Sequence, residues 1–487
     1  MSIQYDIKER TFSGLFQLLV SQRHLRKKIL RAISNKIYRE LVDNNPLNRP
    51  GRILKEQHAH IVALVNALDR GIEKGLLCRS VRDHIVRSFI QNVFLTNKRE
   101  IASHSIGFEP PWFLLISPTG KCNLRCIGCY AASDPGNHSS LDFETFNRII
   151  TEKEELWGSY FTVISGGEPL LWRDGELGLL DVVARHPSDT FMVYTNATFI
   201  SEDIAKRMAE LGNISPAISL EGFEEETDAR RGKGVYKRIL TAFENLRKYG
   251  VPYGISITPT KHNWELATSD RFVDFYFEDQ GALYGWLFQY MPIGRKPSLE
   301  LMIPPEQRME MIHRTNRIVH ERKILFADFW NSGHVSDGCI SAGRTGGYYH
   351  IDWKGDIMPC AFVPFAADNI YRIYKEGGTI NTVLNHPLFK GIREWQDKYG
   401  FAQSAERTDN WLCPCVIRDH FDVIREIVNQ SGATPINKEA AFAIQDKTYC
   451  EAMIHYGKEI KKLTDPIWLE EYINSSELVD LQSGENG

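Results

Sequence analysis

Three cysteines fall within eight residues in Cys122-Asn123-Leu124-Arg125-Cys126-Ile127-Gly128-Cys129. That spacing lets one compact loop close around a single metal cluster. Three thiolates are one short of the four that complete a zinc or iron–sulfur cage. A [4Fe–4S] cluster held this way keeps one iron open to a small molecule, which suits a reaction centre better than a structural staple. A zinc knuckle, or unrelated core thiols, are the alternatives for the same spacing.

Five more cysteines follow residue 300: Cys339, Cys360, Cys413, Cys415 and Cys450. The stretch 348–360 reads as a hairpin with Lys354-Gly355 at its turn, a geometry that holds thiols rigidly. Cys78 stands alone in Gly75-Leu76-Leu77-Cys78 and reads as a buried small residue. Nine cysteines without an export-type leader favour metal ligation over disulfides, and the expected compartment is the cytoplasm.

The elements that must position these thiols are legible from 110 onward. Short apolar runs at 112–117, 161–165, 191–194, 214–220, 253–258 and 283–290 alternate with helical patterns at 141–154, 178–185, 201–211, 236–249, 265–280 and 304–321. Ser201 is the expected N-cap of the third helix. Six strand-then-helix units predict a parallel α/β sheet. Each polar or glycine-rich signature lies just after a strand: the cysteine loop, Gly166-Gly167-Glu168-Pro169, Thr195-Asn196, Ser219-Leu220-Glu221-Gly222 and Pro292-Ile293-Gly294-Arg295. In a parallel barrel such positions gather at one rim.

In this arrangement the chain resembles the radical S-adenosylmethionine (radical SAM) enzymes over about residues 110–300. The resemblance implies a partial (β/α)6 TIM-like barrel. It also implies a [4Fe–4S] cluster on Cys122, Cys126 and Cys129 whose open iron binds the amino and carboxylate groups of S-adenosylmethionine. Reductive cleavage there gives a 5′-deoxyadenosyl radical, with electrons from a reductase or flavodoxin-type donor. By the same resemblance Gly166, Gly167 and Glu168 receive the methionine ammonium. Thr195, Asn196, Ser219 and Glu221 lie where relatives contact the ribose and methionine moieties, and Arg231 of Asp228-Ala229-Arg230-Arg231 pairs with the methionine carboxylate, a surface charge cluster being the alternative. The aromatic residue usual before the third cysteine is replaced by Gly128, with Tyr130 after the cysteine as the candidate substitute.

Cys339, Gly355 and Cys360 resemble the opening of a SPASM or twitch auxiliary-cluster domain. The resemblance implies one auxiliary iron–sulfur cluster on Cys339, Cys360, Cys413 and Cys415, with Cys450 spare. A structural zinc site from the same residues is the alternative. Sulfatase-maturing relatives carry an aspartate base after the second hairpin cysteine. Here that position is Ala361, so no formylglycine-forming activity is expected, and Asp352 and Asp356 are expected toward solvent.

Four regions are expected: a helical 1–108, a barrel at 109–325, an auxiliary-cluster domain with a helical C-terminal part at 326–474, and a disordered polar tail at 475–487. Leu15, Phe16, Leu19, Leu25, Ile29, Ile33, Ile37 and Leu41 mark one N-terminal helix face. Seven Lys or Arg and no acid lie between Arg23 and Arg39. Packing of that helix on the barrel is expected over contact with a membrane surface. The chain has 487 residues, 43% hydrophobic and 25% charged, with net charge −4. Nothing there invites nucleic acid, and no apolar run is long enough to span a membrane. The substrate expected from auxiliary-cluster relatives is a peptide or protein. A lipid or cofactor precursor is the second reading, and a non-catalytic metal-stabilised binding module the third. No catalytic side chain is assigned.

Overall fold

The computed structural model describes residues 22–94 and 97–474. Leu15, Phe16 and Leu19 of the first helix face, and the tail from 475, lie outside them. Six strands run parallel in chain order: β1 (Leu114–Ile116), β2 (Phe161–Ile164), β3 (Thr190–Thr195), β4 (Ile214–Leu220), β5 (Gly254–Ile257) and β6 (Tyr284–Leu287). Between them stand helices Phe143–Trp157, Leu179–Arg185, Glu202–Leu211 and Val235–Tyr249. Ser201 caps the third, its hydroxyl accepting the Ile204 N–H at 3.3 Å. This is the expected α/β architecture, an open mixed sheet with helices against it.

Two features extend it. A seventh parallel strand, β7 (Leu325–Asp328), follows helix Pro305–His320 and pairs with β6. At the other edge the hairpin β8 (His350–Ile351) and β9 (Asp356–Met358) joins the same sheet, followed by β10 (Asp368–Asn369). β8 lies parallel to β1, with Leu115 opposite His350 and Ile116 opposite Ile351. The ten strands run β10-β9-β8-β1-β2-β3-β4-β5-β6-β7. The cysteine-bearing hairpin is therefore an extension of the barrel sheet. Gly355 takes φ 82° at its turn, as Lys354-Gly355 suggests.

The core is continuous across this sheet. Trp157, Trp172, Tyr253, Tyr276 and Tyr349 are all buried to within 1%. The basic helix Arg23–Tyr38 packs on the next helix, Gly51–Glu73, through Arg26, while Lys28, Arg31 and Lys36 stay exposed. Arg26 is buried against Asp69, Arg23 meets Glu73 at 2.7 Å and Lys27 meets it at 3.3 Å. Among the described residues no helix is long and apolar enough to cross a membrane. Cys78 is half-buried beside Ser80 Oγ at 3.1 Å, not buried as its apolar neighbours suggest.

Candidate active site

The C-terminal ends of the parallel strands meet at one cavity of about 320 Å³. Cys122, Cys126 and Cys129 line it, together with Gly166, Gly167, Thr195, Asn196, Ser219 and Arg231. Glu168 and Glu221 stand behind these residues.

The glycines are explained by backbone approach. The cysteine loop folds over the end of β2, where Gly167 N donates to Thr119 O and Glu168 N to Lys121 O, each at 2.8 Å. A Cβ on Gly167 would sit 2.1 Å from Lys121 O. The Gly-Gly pair thus seats the loop as well as opening the cavity.

Glu168, expected to receive the methionine ammonium, already accepts hydrogen bonds from the protein. It is wholly buried, and burial pushes it up to about 6. Oε1 accepts from Thr195 Oγ1 at 2.7 Å and Leu170 N at 3.1 Å, and Oε2 accepts from Asn196 N at 2.8 Å. Its carboxylate ties the ends of β2 and β3 together, and so positions Asn196. Asn196 Nδ2 in turn donates to Asn123 Oδ1 at 2.9 Å inside the cysteine loop.

Glu221 is likewise an anchor. Its carboxylate accepts from Arg231 Nη2 at 2.6 Å, from Arg230 and from Thr258 N at 3.2 Å. Arg230 also donates to Ile127 O at 3.0 Å, clamping the loop between its second and third cysteines. Arg230 and Arg231 are the charged residues lining the cavity. They suit an anionic ligand group such as a carboxylate. Burial raises the Cys126 thiol while the Arg231 cation opposes it, and burial lifts Cys122 to about 12. Cations beside a thiol favour the thiolate that ligates metal.

Gly128 stands at φ 63°, and a Cβ there would lie 2.5 Å from Tyr290 Cε2. Tyr290, from beyond β6, fills the space where the missing aromatic residue was expected. Tyr130 also lines the cavity, with its hydroxyl 2.8 Å from Ser165 Oγ and its ring 5.6 Å from that of Phe362. Gln289, which sequence reasoning missed, lines the same space and is held by Asp328 of β7 at 2.9 and 3.1 Å. Arg230, Tyr290 and Gln289 carry no motif of their own. Only the strand ends before them signal their place.

Among the described residues no three His, Cys, Asp or Glu side chains gather closely enough to hold a single metal ion. The three loop thiols stand around a cavity, and the donor set, the space and the two arginines fit a polynuclear cluster with an anionic small molecule beside it.

The family model of the radical SAM superfamily matches residues 116–273. The chain belongs to the radical SAM superfamily. The chain is 29% identical over 358 residues to the mycofactocin maturase MftC of Mycolicibacterium smegmatis, spanning 68% of this chain and 86% of that one. It is 30% identical over 171 residues to the Fe-coproporphyrin III synthase of Methanosarcina barkeri, spanning 34% of this chain and 42%, less than half, of the synthase. Streptococcus suis SuiB bound to precursor peptide SuiA shares the fold, with a TM-score of 0.50 at 18% identity over 61% of this chain and 70% of that one. This radical SAM enzyme is thus S-adenosylmethionine-dependent, and a [4Fe–4S] cluster and that cosubstrate are its cofactors.

A second thiol set lies behind the first cavity in this radical SAM enzyme. Cys339, Cys360 and Cys415 line one small cavity of about 30 Å³, so the fit of a cluster there rests on the donor set. Cys415 receives the Trp330 Nε1–H at 3.2 Å, and Tyr348 Oη lies 3.1 Å from Cys360 Sγ. Cys413 departs from the expected set. Its buried Sγ faces away to helix Lys447–Ile467, where Thr464 Oγ1 lies 3.5 Å off, and to Asn410 O at 3.8 Å. The turn that precedes Pro414 sends the two side chains of Cys-Pro-Cys to different neighbours. Cys450 stays apart, its thiol donating to Ala443 O and Ile444 O.

Proposed function

We propose that this enzyme holds its catalytic cluster on Cys122, Cys126 and Cys129 and abstracts hydrogen from an unactivated C–H bond of a peptide or protein. One observation carries the reading: a single cavity is lined by the three thiols, by the strand-end residues Gly166, Thr195, Asn196, Ser219 and Arg231, and by an aromatic wall including Trp286, Phe288 and Phe362. The bound cluster and S-adenosylmethionine would supply a carbon radical by reductive cleavage of a sulfonium, with electrons from an external flavodoxin-type donor. The chain's own residues do the rest. Arg231 receives an anionic group, Glu168 and Glu221 fix the rim, and the aromatic wall keeps water from the reacting carbon.

The peptide reading draws support from the maturase name of MftC and from the peptide bound to SuiB. The aromatic wall also suits a planar cofactor precursor, the class named by the Fe-coproporphyrin III synthase. Cys339, Cys360 and Cys415 are proposed as three ligands of one auxiliary cluster.

Anaerobic incubation with S-adenosylmethionine and a reductant tests the assignment. Wild type should form 5′-deoxyadenosine, and the joint Ala variant of Cys122, Cys126 and Cys129 should not. A variant that still cleaves the cosubstrate sinks the reading. A mass shift on a peptide but not on a porphyrin precursor separates the two substrate classes.

A further inference from the structure

A second chamber, of about 180 Å³, adjoins the reaction cavity and shares Tyr130 and Ala361 with it. The hairpin builds its floor. Because β8 runs parallel to β1, residue 352 lies just past the C-terminal end of a strand, at the rim that also carries the cysteine loop. Sequence reasoning turned Asp352 toward solvent, but only 3% of it is exposed.

Asp352 lines this chamber with a carboxylate that is half used. Oδ1 accepts the N–H groups of Lys354 and Asp356 at 2.8 and 3.0 Å. Among the described residues Oδ2 accepts no hydrogen bond, and no cationic side chain forms an ion pair with the carboxylate. Burying a carboxylate is costly, and the nearby Lys354 charge offsets only part of that cost. Accordingly, burial and the neighbouring Asp356 push Asp352 up to about 7. The wall around it is largely apolar, with Ala132, Pro292, Ile293 and Ala440, and Lys354 and Glu439 are the other charged residues that line it. The chamber thus joins a carboxylate oxygen without a hydrogen bond to a largely apolar slot, with Glu439 as a second carboxylate and Lys354 as the one cation in its lining.

We propose that this chamber binds a primary ammonium group on a short alkyl stem, the ammonium on Asp352 and the stem along the apolar wall. The stem belongs to a peptide side chain or to a free small amine. Its role as a substrate subsite rests on the reading of the adjoining cavity as the reaction cavity.

Trp353 supplies the reporter, since it lines the chamber and, among the described residues, its buried indole N–H has no hydrogen-bond partner. The reconstituted full-length protein, labelled with indole-15N tryptophan, is titrated with n-butylammonium chloride and with n-butanol, its neutral counterpart. Trp353→Phe identifies the resonance. The ammonium should shift it saturably and the alcohol should not. Asp352→Asn, which keeps the Oδ1 acceptor, should weaken binding roughly tenfold or more. No shift, an equal shift with the alcohol, or equal affinity in Asp352→Asn overturns the proposal. The alcohol comparison in wild type stands even if the variant misfolds. Capped lysine against 1,5-diaminopentane then separates the sources, and a preference for either supports the site. S-adenosylmethionine binding on the same sample fails if the main cavity has been misread, and is untouched if only the chamber has been.

Discussion

Tyr348 joins the two thiol sets. Its ring lines the cavity of Cys122, Cys126 and Cys129, while its hydroxyl lies 3.1 Å from Cys360 Sγ. Hydrogen bonds to cluster sulfurs raise reduction potential by stabilising the more negative form. Tyr348→Phe should therefore leave iron content unchanged and lower the auxiliary potential by roughly 40 mV, the equivalent of about 1 kcal/mol. A redox titration followed by electron paramagnetic resonance, in the background lacking the three loop cysteines, measures it.

The separation of Cys413 from Cys415 gives a second outcome. Cys415→Ala should abolish the auxiliary signal and Cys413→Ala should retain it. Iron counts and spectra of the single variants check this. Loss of the signal in Cys413→Ala alone would return that thiol to the ligand set.

Glu168 acts as a buried tie. Glu168→Gln places an amide N–H₂ where three donors now converge. It should destabilise the fold by about 1–3 kcal/mol, the cost of unmade buried hydrogen bonds. Affinity for S-adenosylmethionine should fall through displaced Asn196. Denaturation midpoints show the first effect and equilibrium binding the second. A variant of normal stability with weakened binding would instead mark a carboxylate that meets the ligand directly.

Asp352 predicts a pH dependence. Its carboxyl is raised by burial to about 7 from the ordinary value 3.8. The folded state therefore holds the proton more tightly than the unfolded chain. The stability this provides is complete below about pH 4 and is lost as pH rises through about 7. An amide side chain does not titrate, so Asp352→Asn should gain on wild type across that window, by about 2–4 kcal/mol above it. Denaturant midpoints at several pH values, without added amine, test the sign. A gap that does not widen with pH overturns it.

Much of this was legible in the sequence because local rules carried it. Six apolar runs, most of them followed within a few residues by a glycine-rich or polar signature, give the parallel strands and the rim. The cysteine spacing gives the loop. What escaped is non-local. β7 is four residues with no motif, and only Asp328 gripping Gln289 shows what it does. The burial of Asp352 follows from β8 pairing with β1, a register that no neighbouring residue encodes. Glu168 and Glu221 read as ligand groups because their partners, Asn196 and Arg230 among them, converge on them only in the fold.

The attachment of β8 to β1 also bears on how the chain comes to be folded. Ser117 and His350, hydrogen-bonded at 2.8 Å, are 233 residues apart. Until that late segment is made and docked, one side of Leu114–Ile116 is an open edge, with backbone groups free to pair with another molecule. A parallel contact across so long a loop forms slowly. The C-terminal third thus covers an edge of the barrel sheet, and a barrel cut away from it would carry its reaction loop on an open edge strand.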